Sequence, residues 1–542
     1  MSLRTIAGVL AAFEPLDEGA FAAMLEGLSL RERRLVIGAA NFHTLSTASP
    51  VRLTLHWGLG TEFPQLTSQL DTRDILDRPT FASVDVVRAK TDGPVETGPI
   101  HVAHSLISHD SAILESSMPG SLYWRLRQAV EHRYPLQYDL LRQRILNRRE
   151  RTLQSKPIPR RQLSAEELAV APIEPVEKPR AVLIGLHWLD LGGAERWAVE
   201  TVRLTREAGF IPIVVTDRDS HQPWITRSEF DGALVVPLSF PMNEDDDHEE
   251  RFLAGLVSEF ALAGVIVHHC AWLYDRLPRL RNWLPQIPVV DALHIIEYAG
   301  GGYPATGVHL DPYIDVHHVI SPQLVDWMTG PQQVDSAKIV LAPLTALTTE
   351  QSEAEFKAPS SADDPLRLGF IGRFVRQKRP YLFLKLLRRL QADGVPFSAI
   401  MHGGGELDDV VRQRIHDYGL GDVVEVRDHE AAVSETLGEI DLLVVSSQNE
   451  GITLTTFEAL AAGVPVLSAD VGSQNTIVHD EMLVPRAPHD FVEGAASAIA
   501  VLAAEPAARR AAWNEEMARA RAFSEHESAN DWMRRTLQAW NA

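Results

Sequence analysis

The sequence contains a single cysteine, Cys270, among 542 residues. One thiol excludes an intrachain disulfide and any zinc site built from several cysteines. Basic residues are outnumbered as well, with 51 Lys and Arg against 73 Asp and Glu and a formal net charge of −22. Because nucleic acids are bound through clustered cations, this balance argues against a nucleic-acid partner. An anionic ligand therefore requires a local basic pocket.

Long apolar runs are also absent from the sequence. No run reaches the roughly 18 to 20 residues that span a bilayer. The apolar segment 5–13 follows one arginine and leads directly into Glu14, a pattern unlike that of a signal peptide. We therefore expect a cytoplasmic protein, with peripheral contact at the inner face of the membrane left open. The length favours two to four domains.

From residue 181 onward, short apolar runs alternate with amphipathic runs, which is typical of a parallel sheet covered by helices. The strand-like run AVLIGL (181–186) is followed by a Gly-Gly turn, a helical pattern and the run IPIVVT. The same pattern restarts at LRLGFIG (366–372) and continues through DLLVVSS (441–447). We predict an α/β fold with two Rossmann-like parallel-sheet domains facing a cleft, at 181–345 and 346–520.

Residues 1–154 follow a different pattern, which predicts an α+β region of unassigned role. VRLTLHW and FASVDVVRA resemble strands, and a long helix is predicted over 122–153. The segment 155–180, rich in proline and charge, is predicted to be a linker. The basic stretch at this junction suits an anionic membrane surface, and a solvated helix end explains it equally well. It holds Glu150 and the cations Arg142, Arg144, Arg148, Arg149, Arg151, Lys156, Arg160 and Arg161.

Four stretches place glycine or charge directly after a predicted strand, where ligands bind in such folds. Taken singly, each has an ordinary explanation as a tight turn or a surface charge. Their joint occurrence at strand ends indicates one shared ligand. The stretches are Gly192-Gly193, Gly372-Arg373 with Lys378, His402-Gly403-Gly404-Gly405-Glu406, and Glu450-Gly451 with Glu458.

The last stretch, NEGITLTTFEALAAGVPV, carries two glutamates, Glu450 and Glu458, at a spacing of eight. If the stretch is helical, their backbone positions lie up to about 12 Å apart at a rise of about 1.5 Å per residue. The paired carboxylates of glycosidases lie about 5 to 10 Å apart and face each other across one bond. This spacing therefore favours contact with two ends of one long ligand.

These motifs resemble those of the GT-B glycosyltransferases, specifically the retaining family 4, or glycosyl transferases group 1. The likeness covers 181–542 and rests on LGGAE, IGRFVRQKRP, HGGGE and the E-x7-E stretch with its GVPV sequel. It implies transfer of a sugar from a nucleotide-sugar donor to a glycan, glycolipid or other hydroxyl acceptor, in bacterial surface polysaccharide or glycolipid assembly. It also implies that a helix in 521–542 returns to the first Rossmann-like domain.

The resemblance assigns a role to each matched residue. Arg373 and Lys378 bind the donor diphosphate, where two fixed cations stabilise the leaving group as a metal would, so no metal or other cofactor is expected. Glu450 accepts hydrogen bonds from the donor sugar and Glu458 from the ribose. Backbone groups at the helix start favour anions, and Thr453 is expected to cap that helix. The further donor-binding positions are Gly192, Gly193, Gly372, Gly403, Gly451, Ile452, Thr453 and Leu454.

A histidine near the donor sugar is also implied. His294 is the best match for it, and His187, just before the Gly-Gly turn, is the rival candidate. The glycine-rich segment 299–304 is expected to line the acceptor cleft. The acidic run 243–250 contains the Asp-x-Asp of metal-dependent transferases, but its unbroken charge favours a solvated loop. No metal site is predicted.

Three alternatives to a transferase remain open at the level of sequence. A sugar-nucleotide epimerase and a glycoside phosphorylase use the same fold, and a non-catalytic sugar-nucleotide-binding scaffold would retain the same residues. One departure from the family pattern limits the inference further. Many relatives have Gly-Phe-Gly where this chain has Gly451-Ile452-Thr453, so the preference for a donor sugar does not transfer.

Overall fold

A computed structural model provides the structure of the chain. It describes residues 3–57, 63–64, 67, 80–88, 100–106, 130, 133–162, 178–190, 192–239, 248–297, 300–344, 354–358, 364–428 and 431–541.

In its described residues, the N-terminal region forms a hairpin, a small mixed sheet and three helices. The sheet has the order β3-β5-β4-β6, with β4 and β6 parallel and the other two pairs antiparallel. The strands are β1 (Arg4–Ile6), β2 (Val9–Ala11), β3 (Phe13–Pro15), β4 (Val51–Trp57), β5 (Thr80–Arg88) and β6 (Ile100–Leu106). The helices are α1 (Glu18–Glu26), α2 (Leu30–Ser46) and α3 (Pro135–Ser155).

Helix α2 attaches this region to the next domain. Ser29 and Glu32 form a capping box that fixes its start. Most of the helix is buried, and a Cβ atom added at Gly38 would lie 2.7 Å from the backbone oxygen of Val235. The helix therefore packs against the backbone of its neighbour, so the N-terminal region and the first Rossmann-like domain share a core.

The first Rossmann-like domain contains a seven-stranded, fully parallel sheet of order β13-β12-β11-β10-β7-β8-β9. Its strands are mostly apolar because helices cover both faces, and Asp291, His317 and His318 are buried exceptions. They are β7 (Arg180–Leu186), β8 (Ile211–Thr216), β9 (Leu234–Pro237), β10 (Ala261–His268), β11 (Val289–Leu293), β12 (Val316–Val319) and β13 (Ile339–Leu341). The helices are α4 (Gly193–Glu207), α5 (His248–Glu259), α6 (Ala271–Trp283), α7 (Gly302–His309) and α8 (Pro322–Thr329).

The second Rossmann-like domain contains a six-stranded parallel sheet of order β16-β15-β14-β17-β18-β19. Its strands are β14 (Leu366–Ile371), β15 (Phe397–His402), β16 (Val424–Arg427), β17 (Leu442–Val445), β18 (Val466–Ala469) and β19 (Leu483–Val484). The helices are α9 (Pro380–Ala392), α10 (Asp408–Asp417), α11 (Val433–Glu439), α12 (Leu454–Ala461), α13 (Pro488–Ala504) and α14 (Pro506–Ser524). The predicted α/β fold with two Rossmann-like parallel-sheet domains is thus confirmed.

The final helix, α15 (Ala529–Asn541), packs on the first Rossmann-like domain. Arg180 donates a 2.6 Å hydrogen bond to the backbone oxygen of Trp540. The ring of Trp532 stacks on His318 at a centroid distance of 4.9 Å. The chain therefore leaves the first domain after β13, builds the second, and returns.

The helix predicted over 122–153 differs from the observed one. Helix α3 begins at Pro135, a residue favoured at the first helical position, and Tyr134 before it is not helical. The parts of the prediction at 122–129 and 131–132 lie outside the described residues, whereas Val130 and Arg133 are helical. Residues 163–177 of the predicted linker and most of 345–363 at the predicted domain boundary also lie outside the described residues.

Helices long and apolar enough to cross a bilayer singly are absent from the part of the chain that the structure describes. One helix pair, Pro488–Ala504 with Pro506–Asn541, is long and apolar enough when its two helices are taken together, but it is bent by 114°.

Candidate functional site in the interdomain cleft

The candidate site lies where the strand order of each sheet reverses, between β7 and β10 in one domain and between β14 and β17 in the other. Ligands of doubly wound sheets bind outside the carboxyl ends of the strands at these points. Helices α4 and α12 start here on opposite sides of the cleft, and a Cβ atom added at Gly193 would lie 3.6 Å from Leu454 Cδ1. Two helix N-termini, each with unpaired N–H groups, thus converge on one space suited to an anion.

The two domains touch across this cleft. Asn449 donates a 2.8 Å hydrogen bond to the backbone oxygen of Ile296. A Cβ atom at Gly451 would lie 2.0 Å from the backbone oxygen of His294, so a glycine is needed for this approach. The structure is therefore that of a closed cleft.

Residues 372–379, which we name the donor loop after the role predicted for Arg373 and Lys378, bring a cation and a carboxylate together. Lys378 Nζ donates to Glu450 Oε1 at 2.6 Å, and both side chains are largely buried. Ser446 Oγ holds the base of the loop by donating to the backbone oxygen of Lys378 at 3.0 Å. Arg373 is exposed, and none of the described residues accepts a hydrogen bond from its guanidinium. Of the two cations predicted to bind the diphosphate, Lys378 is thus paired and Arg373 faces solvent.

The HGGGE loop supports the donor loop through its backbone. Gly372 N–H donates to the backbone oxygen of His402 at 3.0 Å, and Phe374 N–H to that of Gly404 at 2.8 Å. Gly372 and Gly403 have φ angles of 153° and 152°, which favour glycine. A Cβ atom at Gly403 would lie 2.0 Å from the Gly372 oxygen. In this structure the Gly403 position, predicted to bind the donor, is required for packing of the two loops.

Glu458 has a partner that the sequence did not indicate. Arg196 of α4 lies with Nη1 at 3.3 Å from Glu458 Oε1, which joins the two helices that begin in the cleft. Gly192 precedes α4, and a Cβ atom there would lie 2.0 Å from the Glu195 carboxylate.

The capping role expected of Thr453 is wrong. Thr453 is the N-cap residue of α12, but its hydroxyl makes no capping hydrogen bond and instead lies 3.3 Å from the Thr456 hydroxyl. Ile452 beside it is buried. The N–H groups at the start of α12, including that of Leu454, therefore have no side-chain cap from Thr453 and are available to an anion.

Three histidines of the first domain lie at the carboxyl ends of its strands. His187 follows β7 and its Nε2 lies 2.8 Å from Glu195 Oε1. The ring of His294, after β11, packs edge-on against His269, after β10, at a centroid distance of 5.0 Å. Each of the three has one buried ring nitrogen without a hydrogen-bond partner among the described residues. Both predicted candidates thus belong to one cluster, which His269 completes.

His269 was missed because HHC at a strand end carries no glycine, charge or motif. The structure supplies the missing signal, since the backbone of His269 is left-handed with φ 57°. Its ring stacks on Tyr303 at 4.7 Å. Tyr303 lies in the glycine-rich segment, and Arg218 donates to its hydroxyl at 3.1 Å. That segment therefore contributes to the cleft wall of the first domain.

The electrostatics of this cluster keep its inner histidines neutral. Burial lowers the pKa of His294 well below 6.5, and the neighbouring His269 and His318 add to the effect. Burial likewise lowers the pKa of His269. Burial raises the pKa of Tyr303 to about 12. These groups suit hydrogen bonds to neutral hydroxyls better than they suit pairing with phosphate.

The acidic run at 243–250 has a structural explanation where it is described. Residues 243–247 lie outside the described residues. Glu249 and Glu250 begin α5 and pair with Arg276 and Arg279 at 2.6 and 3.1 Å. Across the described parts of the chain, no group of three or more His, Cys, Asp or Glu side chains is placed to hold a metal ion.

This architecture is the GT-B fold, as comparison with solved structures establishes. The structure of the pneumococcal O-GlcNAc transferase GtfA in complex with UDP and GlcNAc superposes with a TM-score of 0.51 at 12% identity, covering 68% of this chain and 100% of that one. Anabaena HepE in complex with UDP and glucose gives a TM-score of 0.50 at 14% identity, covering 67% of this chain and 97% of that one.

The second Rossmann-like domain also matches a family model. Residues 351–514 match the family model of glycosyl transferases group 1. This segment holds the donor loop, the HGGGE loop and both glutamates, which is the part of the chain where the sequence motifs are densest.

Related chains carry glycosyltransferase names. The putative glycosyltransferase EpsF of Bacillus subtilis is 25% identical over 150 residues, 27% of this chain and 39% of that protein. The O-antigen biosynthesis glycosyltransferase WbnH of Escherichia coli is 23% identical over 301 residues, 52% of this chain and 79% of that protein. The chain thus spans well under half of EpsF and about four fifths of WbnH.

Proposed function

We propose that the chain is a retaining glycosyltransferase that moves a sugar from a nucleotide-sugar donor to a hydroxyl acceptor, in the assembly of a surface polysaccharide or glycolipid. One observation carries the proposal. Helices α4 and α12 start opposite each other at the reversal points of both sheets, beside Arg373 and Lys378. A nucleoside diphosphate is the anion that such a space suits, and the group 1 match and the O-antigen relatives support this reading.

The chemistry follows from these groups. As the bond between the anomeric carbon and the diphosphate oxygen breaks, its electron pair goes to the leaving phosphate, and Lys378, Arg373 and the helix N-termini stabilise the growing charge. The acceptor oxygen bonds to the anomeric carbon on the same face, and its proton passes to the leaving phosphate. In this scheme the protein cations act without a metal or other cofactor.

The donor sugar is proposed to lie between Glu450 and the histidine cluster. The carboxylate of Glu450 accepts hydrogen bonds from sugar hydroxyls, and neutral His294 bonds another hydroxyl from across the cleft. Glu458, beside Arg196, contacts the ribose. The cleft wall around Tyr303 and Arg218 receives the acceptor.

Peripheral membrane contact is a second part of the proposal. Three apolar side chains on α3 are exposed, with Leu140 at 45%, Leu141 at 73% and Ile145 at 53%. Exposed cations continue along the same helix. An apolar stripe beside cations suits the surface of an anionic bilayer. The end of the basic stretch is used differently, because Arg160 donates to the backbone oxygen of Gln332 at 2.7 Å. The exposed cations of this surface are Arg148, Arg149 and Arg151 on α3 and Lys156 directly after its end.

The test is a screen of UDP-, GDP-, ADP- and dTDP-sugars in chelator, following thermal stabilisation and donor hydrolysis. We expect one nucleotide class to stabilise the protein and to be hydrolysed slowly, and Lys378→Met to abolish hydrolysis. Lys338→Met is the matched control, since Lys338 lies just before β13, at the amino end of the strand, and pairs with Asp311 at 2.9 Å. Inversion of the anomeric centre in the product would contradict the retaining mechanism.

Other outcomes of the screen point to the alternatives. A sugar that changes configuration without any acceptor would indicate an epimerase, and phosphate-dependent glycan cleavage would indicate a phosphorylase. Stabilisation by a nucleotide without turnover, even with candidate acceptors present, would indicate a binding scaffold.

A further inference from the structure

A carboxylate from the N-terminal region is buried against the base of the donor loop. Helix α3 packs on α9 and α13 of the second Rossmann-like domain. Its Asp139 is 0% exposed and lies 2.9 Å from Arg379 Nε. Tyr381 also donates to the same carboxylate oxygen. Arg379 too is 0% exposed, so this ion pair is sealed from solvent.

Arg379 has an unfavourable backbone conformation directly after Lys378. Its φ and ψ are 52° and 53°, in the left-handed region that residues with a Cβ atom seldom adopt. The surroundings hold it there. Besides Asp139, its guanidinium donates to the backbone oxygen of Arg486 at 2.7 Å, and its own oxygen accepts from Ser446 Oγ at 3.1 Å. A strained residue persists when its surroundings over-determine its position.

Of the two groups that accept hydrogen bonds from the Arg379 guanidinium, Asp139 is the one with a carboxylate. A buried guanidinium without a carboxylate is strongly destabilised, because it has lost its hydration and gains nothing in return. Without Asp139, Arg379 would have to move towards solvent, and the left-handed turn would move with it. That turn sets the direction in which Lys378 leaves the backbone, and Lys378 Nζ lies 2.6 Å from Glu450.

We propose that Asp139 is a positioning residue for the donor loop: by pairing with Arg379 it holds the left-handed turn that directs Lys378 into the cleft. The N-terminal region is then a working part of the donor site and not an appended module. This inference rests on the proposed transferase function for its kinetic consequence. Its structural consequence, a donor loop ordered by α3, is independent of any substrate.

The first test replaces Asp139 by Asn, which keeps the shape and removes the charge. We expect donor kcat/KM to fall at least 30-fold, with an acceptor KM that changes less than threefold. Glu150→Gln is the matched control, because Glu150 also lies on α3 and pairs with Arg486 of the second domain. The control is expected to change donor kcat/KM less than threefold.

A second-site change separates positioning from general stability. Glycine adopts the left-handed conformation freely and carries no charge. Adding Arg379→Gly to Asp139→Asn is therefore expected to recover donor kcat/KM at least fivefold over Asp139→Asn alone. A lower melting temperature with an unchanged donor kcat/KM for Asp139→Asn would overturn the proposal, and so would the absence of recovery.

A comparison at Arg379 alone applies if Asp139→Asn does not fold. Arg379→Gly and Arg379→Ala both leave Asp139 without its cation, but only glycine keeps the turn at low cost. We expect Arg379→Ala to have at least tenfold lower donor kcat/KM than Arg379→Gly. Equal values would overturn the proposal.

Hydrogen exchange distinguishes this inference from the proposed function. Backbone amides of 374–379 are expected to exchange at least tenfold faster in Asp139→Asn, or in Arg379→Ala, than in Glu150→Gln. Faster exchange in a protein that turns over no nucleotide sugar would refute the transferase and leave the ordering of the loop by α3 standing. Unchanged exchange in a protein that does turn over would refute the role of Asp139.

Discussion

At the scale of single residues, the neutral state of His294 is the property that most restricts its role. A buried imidazole with a lowered pKa and an unpartnered nitrogen can exchange hydrogen bonds with a hydroxyl, and it carries no charge for a phosphate. The proposed roles of the two sides of the cleft therefore differ. The cations proposed to bind the diphosphate, Arg373 and Lys378, lie on the second domain, and the neutral histidines lie on the first.

We expect His294→Ala to lower donor kcat/KM about tenfold. This factor corresponds to the loss of one hydrogen bond of about 1.4 kcal/mol. The ratio of wild type to variant should stay constant from pH 6.5 to 8, because burial lowers the pKa of His294 well below 6.5. Steady-state kinetics at several pH values measure this ratio of donor kcat/KM. His318→Ala is the control, since His318 is equally buried but bonds the backbone oxygen of Ala342. It should lower stability and leave donor KM unchanged, whereas a ratio that varies with pH would argue for a charged His294.

At the scale of elements, helix α14 carries a carboxylate with an unusual environment. Glu516 is fully buried and accepts hydrogen bonds from the N–H groups of Val466 and His479, at 2.9 and 3.4 Å. Burial raises its pKa to about 8, from an ordinary value of 4.5. Between these values the folded protein binds a proton that the unfolded chain has released. The free energy of unfolding therefore falls as pH rises through this window.

Through Glu516, the free energy of unfolding falls by at most roughly 1.4 kcal/mol per pH unit. Glu516→Gln cannot ionise, so we expect it to lack this component, and its stability relative to wild type should rise from pH 5 to pH 8. Thermal unfolding at four pH values measures the difference. Glu515→Gln, at the exposed neighbour that pairs with Arg519, should parallel the wild type. Parallel profiles for Glu516→Gln would mean that the carboxyl is ionised throughout.

The exposed face of α3 leads to a second prediction at this scale. Vesicles with 30% anionic lipid should bind the protein, and neutral vesicles should not. Replacing Arg148 and Arg149 by glutamine should weaken vesicle binding roughly 30-fold, because each charge contributes about 1 kcal/mol. Co-sedimentation measures this.

The control for vesicle binding removes two exposed cations elsewhere, Arg534 and Arg535 on α15, again as glutamines. Its binding should match that of the wild type. Equal loss in both double variants would mean that α3 has no special role, and binding that ignores lipid charge would refute the membrane contact.

Sequence patterns predicted some elements well and others poorly, for physical reasons. Strands such as β7 and β17 are almost continuous apolar runs because both of their faces are covered, so the sequence pattern identified them. The glycines that follow such strands could be recognised as turn residues. The pairing of Arg196 with Glu458, and of Asp139 with Arg379, joins residues about 240 to 260 positions apart. No local periodicity encodes such contacts, and the polar side chains involved look like ordinary surface residues in the sequence.

At the scale of the whole molecule, closure of the cleft depends on contact between backbones. Gly451→Ala would place a methyl group 2.0 Å from the His294 oxygen, so the domains could not approach as they do here. Because a misplacement of about 1 Å can cost about 100-fold in rate, we expect kcat/KM to fall by about that factor. Small-angle scattering should show a larger radius of gyration.

Gly438→Ala is the matched control for Gly451→Ala. It lies in α11, and nothing lies within 4 Å of its Cβ position. Alanine there should leave both scattering and activity unchanged. A Gly451→Ala variant with wild-type scattering and activity would show that the closed contact is not needed for turnover.

The return of α15 to the first domain makes the second Rossmann-like domain an insertion into the first. The chain passes between the two bodies twice, once after β13 and once between α14 and α15. A recombinant chimera that exchanges donor specificity therefore needs two junctions, one in 345–365 and one in 525–528, with α15 kept from the host. A one-junction fusion would pair the first domain with a foreign final helix and would lose the stack of Trp532 on His318.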